Sequence, residues 1–397
     1  MSGPRGGPPA GSLTGPSAGP LAGTRIVTMG GLGPAPFCGM LLADLGADVV
    51  RVDRVAEVDG PPPIDGLLRR SQRSIAVDVK DPDGRAVVHA LAVQAEAFVE
   101  VFRPGVAERL GIGPGDLLAR NPRLVYARAT GWGQDGPYAA AAGHDINYLA
   151  LSGALHAIGP AEAPVPPLNL VGDYGGGGML LAVGLLSGIL EARGSGEGQV
   201  LDVAMVDAAA TLTTVFHGLL AEGRWQDRRH ANVLDGAAHY YRAYETADGR
   251  HMAVGAMEPP FYADLCGRLG VSVPQEDTPE AWDAHGETMA ARFRERTRAE
   301  WEADLVGPQS CATPVLSLAE APHHPHARAR GSFVEAGGVR QPAPAPRFSR
   351  TAPAPPSPPA MPGDHTLGVL ADLGIAGEAA RALCERGAVR QAERGSA

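Results

Sequence analysis

Residues 24–53 constrain this chain more than any other stretch. TRIVTM (24–29) is a β-type run, GGLGPAP a turn rich in glycine and proline, FCGMLLADLG a helical stretch, and ADVVRVD (47–53) a second β-run. A strand, a helix and a strand in that order open an α/β layer with a parallel sheet. The pattern continues. SIAVDVK (74–80) alternates as a strand, DPDGRAVVHALAVQAEAF reads as a helix with acidic residues in its first turn, and AFVEVF and LVYARATG supply further strands. GVAERLGIGPGDLLARNP joins those two as a helix–turn–helix connector, and QVLDVAM (199–205) is a strand followed by the helix VDAAATLTTVFHGLLAEG.

After that the texture changes. The segment from LDGAAHYYRAYE to ADLCGRLG reads as a Tyr-bearing strand pair around the turn ADG, then a helix, and 275–306 is helical and charged. A second, smaller α+β domain is expected at 225–330, as a length of 397 residues also implies. Residues 1–18, rich in Gly, Pro and Ser and without an apolar core, read as a disordered tail rather than a secretory signal. The Pro-rich QPAPAPRFSRTAPAPPSPPAMPG reads as an extended surface crossing.

A net charge of −10 argues against a general nucleic-acid binder. Cys38, Cys266, Cys311 and Cys384 form no CxxC pair, which fits a reducing cytoplasm and neither a disulfide framework nor a zinc site. The apolar stretch Met179–Leu190 is broken by glycine and serine and is too short to span a membrane.

Several constellations bear on chemistry. Gly31, Gly33 and Pro36 after the first strand imitate a dinucleotide fingerprint, but the third glycine is missing, so the turn reads as a βα connection. Arg51, Arg54, Arg69, Arg70, Arg73 and Lys80, with Arg103 and Arg109, concentrate positive charge at strand ends, where arginine forks would suit a ligand with several phosphates. His144 and Asp145 stand at the start of an apolar helix. There a neutral imidazole is favoured, and Asp145 would serve as an N-cap. Asp173 stands just ahead of Gly175–Gly178, expected to open a helix through about Arg193. Exposed amides of Gly175 and Gly176, with the backbone of Asp145, would hold an oxyanion beside it. Glu258 ends a strand before two prolines. PHHPH (322–326) is read as a loop without metal, since no acidic or Cys partner lies close in sequence to His323, His324 and His326.

GHDINYLALSGALHAIG, LVGDYGGGGMLLAVGLLSG and MAVGAMEPPFY resemble the α-methylacyl-CoA racemases, a group within the class III CoA-transferase (carnitine-CoA-transferase/bile-acid-inducible) family. LGADVVRVDR, RRSQRSIAVDVKDPDG, FRPGVAERLG, GWGQDGPY, CATPVL and APRFSR extend that resemblance from about residue 19 to about 352. It implies a large Rossmann-like CoA-binding domain (19–224) completed by the C-terminal segment (331–397), a small α+β domain, and a homodimer interlocked like linked rings. By the same resemblance His144 and Asp173 are the two proton bases, and Glu258 supports His144 across subunits. Arg54, Val77, Asp78, Val79, Lys80, Arg103 and Arg109 line the CoA site.

The activity implied is racemisation of a 2-methylacyl-CoA through a thioester enolate, which belongs to lipid metabolism. It needs no cofactor beyond the CoA of its substrate, no metal, no nucleic acid and no membrane. In the family's transferases the matching aspartate is instead a nucleophile. Tyr148, Met179, Leu180, Tyr241 and Met257 are expected as apolar lining of the acyl pocket. His239 stands where the family has proline, facing either solvent or that pocket.

Overall fold

The computed structural model describes residues 19–275, 278–307 and 309–393, so the N-terminal 1–18 lie outside the described residues. The chain forms two compact units. The first comprises the chain to Tyr148, Leu170–Ala209 and the chain from Gly331; the second comprises Leu149–Asn169 and Ala210–Arg330. The second unit therefore takes in more of the chain than the change of texture at 225 indicates, because the segments on either side of Leu170–Ala209 pack with it.

In the first unit six strands run parallel: β1 Arg25–Met29, β2 Asp48–Asp53, β3 Arg73–Val77, β4 Ala97–Glu100, β5 Val125–Thr130 and β6 Gln199–Ala204. Their order is β3-β2-β1-β4-β5-β6, that of a doubly wound α/β sheet, and Val389–Arg390 adds an antiparallel strand on β3. Both faces are covered, which is why the inner strands read as nearly unbroken apolar runs. Successive side chains still point to opposite faces. Val27, Val50, Ile75 and Phe98 enter one core, and Ile26, Val49, Ala97 and Val99 enter the other with Leu42, Leu181 and Leu185.

Four helices of this part position the site: α1 Pro34–Asp44, α2 Pro82–Val93, α3 Asp145–Leu151 and α4 Met179–Ser195. β3 stops at Val77, not Lys80. The Asp78 carboxylate takes the Lys80 N–H at 3.0 Å, and Asp81 caps α2 through the Asp83 and Gly84 amides, so the chain turns here. A larger departure lies at the glycines. The helix starts at Leu170, and Leu170–Gly178 is a π-helical turn that continues into α4. The joined helix Leu170–Ser195 spans 26 residues and is long and apolar enough to cross a membrane, unlike the shorter stretch read from sequence; half of its most apolar window is buried. It packs on α1, β5 and β6.

The second unit holds an antiparallel sheet of β7 Tyr241–Glu245, β8 His251–Gly255 and β9 Ala312–Pro314. Its helices include α5 Thr214–Ala221 and α6 Pro259–Leu269. Tyr244, Met252, Trp282, Phe293 and Trp301 form its core. His239 belongs to that core and faces neither solvent nor a pocket. It is fully buried, shares a 2.9 Å hydrogen bond with the Tyr262 hydroxyl through Nε2, and gives its carbonyl to the Tyr244 hydroxyl. PHHPH is not a plain loop: a 3-10 turn and a short helix carry it, and His324 meets Glu302 at 2.9 Å. That acidic partner is remote in sequence.

Candidate active site

In an open α/β sheet, ligands bind beyond the carboxyl ends of the strands where strand order reverses. Here β1 pairs with β2 on one side and β4 on the other, so the chain beyond Met29 and that beyond Glu100 diverge around a crevice. A cavity of about 990 Å³ occupies that place. Arg54, Val77, Asp78, Val79 and Lys80 line it, as do Arg69 of the early basic cluster and Arg390, which sequence reasoning did not place there. Arg54 is exposed and pairs with Glu57 at 2.5 Å. A cavity of about 300 Å³ shares Leu32, Val101 and Phe102 with the first, and Arg103, His144 and Tyr148 line it. Arg109 lines neither and lies beside Gly105, where an added Cβ would sit 3.3 Å from its guanidinium.

Most of the early arginine cluster is not a phosphate site. Arg51 is buried with its Nε 2.9 and 3.0 Å from the Asp53 oxygens. Arg70 is buried against Asp44 at 2.5 Å and also donates to Gln341. Arg73 reaches Asp48 at 2.7 Å and Asp372 at 2.6 Å. Each has a carboxylate partner, and a buried guanidinium that lost it would be an uncompensated charge. Arg73 ties β3 to β2 through Asp48, Arg51 pairs within β2, and Arg70 ties the chain before β3 to α1.

The segment before α3 is held from several directions. The His144 N–H donates to Asn147 Oδ1 at 3.0 Å, and the His144 carbonyl accepts from the Asn147 N–H at 2.8 Å. The Tyr148 hydroxyl donates to the Gly143 carbonyl at 2.5 Å. Tyr148 meets Trp132 edge-on with ring centroids 4.8 Å apart. A Cβ on Gly143 would lie 2.8 Å from Tyr148 and 2.9 Å from Trp132, so only glycine fits before His144. Asp145, expected as an N-cap of its own helix, caps another. Its Oδ1 accepts the Asp173 N–H at 2.7 Å and also the Gly172 amide. Burial pushes the Asp145 carboxyl up, and those two backbone bonds pull it down. Its Oδ2 is buried with no partner among the described residues.

Asp173 thus stands in the first turn of its helix, three residues inside, rather than ahead of it. Its carboxylate lies against Gly33, where a Cβ would come within 3.3 Å of Oδ2 and where φ is +76°. Gly33 precedes α1 and sits between Leu32 and Pro34, both lining the smaller cavity. The oxyanion role expected of Gly175 and Gly176 is not available. In a π-helix each N–H bonds the carbonyl five residues back, so these amides are taken up by Leu170 and Val171. The glycines serve packing instead. A Cβ on Gly177 would sit 2.9 Å from Met205, and one on Gly178 2.7 Å from Phe37.

Of the expected acyl-pocket residues, Tyr148 lines the smaller cavity, whereas Met179 and Leu180 are exposed on the helix. Glu258 belongs to the second unit, at the N-cap of α6 and exposed. Its charge adds to the burial that raises the Cys311 thiol. Met257 is exposed beside it, and Tyr241 is half-buried against that unit's core. Among the described residues no group of three or more His, Cys, Asp or Glu is placed to hold a metal.

The family model for CoA-transferase family III matches residues 21–366. The chain is 44% identical over 363 residues to alpha-methylacyl-CoA racemase of Mus musculus, covering 90% of this chain and 94% of that one. It is 43% identical to the Homo sapiens racemase over 364 residues, with the same coverage. Succinyl-CoA:glutarate CoA-transferase of Mus musculus is 30% identical over 381 residues, covering 88% of this chain and 86% of that one. Among solved structures, a CAIB/BAIF family protein from Brucella suis superimposes with a TM-score of 0.75 at 25% identity, covering 89% of this chain and 99% of that one.

Proposed function

The chain belongs to CoA-transferase family III, and from that premise we propose that it is an α-methylacyl-CoA racemase, an isomerase that interconverts (2R)- and (2S)-2-methylacyl-CoA. A thioester acidifies its α-carbon. Inverting that carbon requires a base on each face of a planar enolate, one to remove the proton and one to return a proton from the other side. Asp173 and His144 take these roles. The enolate oxygen is met by the backbone N–H of Asp145, which as the first residue of α3 has no intrahelical acceptor. The larger cavity takes the CoA moiety, with Arg54 and Lys80 supplying charge to its phosphates, Arg103 adding to it from the adjoining smaller cavity, and the Val77–Lys80 turn supplying backbone.

One observation carries the racemase over the transferase reading. A nucleophilic aspartate needs no second base, yet the His144 segment has a scaffold of its own in Gly143, Asn147, Trp132 and Tyr148. The 43–44% identity to racemases supports the same choice.

The reading includes an interlocked homodimer in which Glu258 of a second copy orients His144. Helix α5, TVFHGLLA, supports an association: it buries no residue and exposes Val215 and Leu220. No cofactor is required, and a reducing cytoplasm is the proposed location. The test is α-proton exchange in D2O with 2-methylacyl-CoA. The wild type is expected to exchange with loss of optical purity, and Asp173→Ala and His144→Ala each to exchange a single, opposite epimer with its configuration retained. CoA transfer to an added acid that depends on Asp173 and not on His144 would instead mark a transferase.

A further inference from the structure

Two bases that share one α-carbon must be held at a fixed separation, and they lie 29 positions apart in sequence. Asp145 joins them. It follows His144 directly in the chain, and its Oδ1 holds the Asp173 N–H at 2.7 Å together with the Gly172 amide. A Cβ on Gly172 would lie 2.5 Å from that oxygen, so the helix backbone is pressed onto the carboxylate. Three residues on from Asp145, the Tyr148 hydroxyl holds the Gly143 carbonyl from the other side of His144. Burial raises the Tyr148 phenol, with Asp173 and Asp145 adding to the effect, so the ring lies within electrostatic reach of both.

Resting on the two-base reading above, we infer that the first turn of α3 is a brace that sets the spacing of the two bases: Asp145 positions Asp173, and Tyr148 positions His144. Neither side chain takes the substrate proton. The Asp145 side chain needs one acceptor oxygen and not a charge, since its Oδ2 takes no hydrogen bond. Asparagine therefore replaces it.

The experiment measures initial α-proton exchange in D2O from separate (2R)- and (2S)-2-methylacyl-CoA; Asp173→Ala and His144→Ala assign each epimer to its base. Misplacing a reacting group by a fraction of an ångström costs roughly tenfold or more. Asp145→Ala is expected to slow exchange of the epimer served by Asp173 by about that factor, with the other epimer and KM nearly unchanged. Asp145→Asn is expected to restore the rate, and Tyr148→Phe to give the mirror-image loss. Should Asp145→Ala fail to fold, Tyr148→Phe still decides, because it removes one hydroxyl. Equal losses at both epimers would mean a merely structural role and overturn the brace. A wild-type protein that exchanges neither epimer would overturn the two-base reading itself, and the brace with it.

Discussion

Glu100 ends β4 with its side chain buried, directly before the Val101–Pro104 segment that lines both cavities. Its Oε2 accepts the Phe102 N–H at 2.6 Å, and the Arg128 Nε lies 3.9 Å from Oε1. Burial dominates and pushes the carboxyl from its ordinary 4.5 to about 7, against the pull of the Phe102 bond and Arg128. The folded protein therefore keeps a proton on Glu100 between pH 4.5 and about 7 that the unfolded chain has released. Stability from this group is full below pH 4.5 and is lost as pH rises through about 7. At about 1.4 kcal/mol for each pH unit, the loss is about 3 kcal/mol.

Glu100→Gln keeps an acceptor for the Phe102 N–H and removes the ionisation. The variant is expected to match the wild type near pH 4.5 and to exceed it by about 3 kcal/mol near pH 8. Two compact units make a single unfolding midpoint ambiguous, so the assay is native-state amide exchange read on peptides covering Ala97–Phe102. The ratio of variant to wild-type rates at each pH cancels the intrinsic pH dependence of exchange. A ratio that stays flat from pH 5 to 8, or a variant advantage that grows toward acid, would refute the assignment of burial as the dominant cause.

Other outcomes follow from the close contacts and the arginines. Gly143→Ala forces Tyr148 and Trp132 away from the His144 segment and is expected to lower kcat by roughly tenfold or more, while Gly194→Ala, in the last turn of α4 where an added Cβ meets nothing within 4 Å, leaves kcat/KM within a fewfold in the same assay. Arg54→Ala, at an exposed site, is expected to raise KM with thermal stability unchanged, measured by steady-state kinetics and a melting curve side by side. Arg51→Ala leaves the buried Asp53 with only the Ser74 hydroxyl at 2.6 Å and Arg69 at 3.8 Å and is expected to cost about 3 kcal/mol by chemical denaturation; a change in KM alone would return Arg51 to the ligand site.

What was legible in the sequence had local causes. The β1–α1–β2 opening shows in runs of apolar residues at the right period, because a sheet covered on both faces needs them. The strand pair around Ala247–Gly249 shows in its turn residues. His144, Asp173 and Glu258 were identifiable as candidates through the motifs that carry the family resemblance, since at an element boundary a polar side chain also serves as a cap. The arginines misled because their partners are set by register. Arg73 belongs to Asp48 only because β3 lies beside β2 with Val50 opposite Arg73. Arg390 is a cavity residue only because the last strand returns to β3.

The glycines are the instructive case. Read as a string, Gly175–Gly178 looks like a helix start with amides to spare, and Asp173 like a residue outside it. The hydrogen-bond register of a π-turn leaves no trace in apolar periodicity, and the residue that caps the turn, Asp145, is 28 positions away. Once the helix begins at Leu170, those amides are consumed, and the unfilled donors move to Gly172 and Asp173, where Asp145 takes them. The catalytic role proposed for Asp173 draws on different support. It rests on the approach that Gly33 allows to the carboxylate and on Asp145, which fixes Asp173 through its backbone. A glycine at a site like this is better read by what its missing Cβ would strike than by the N–H it carries.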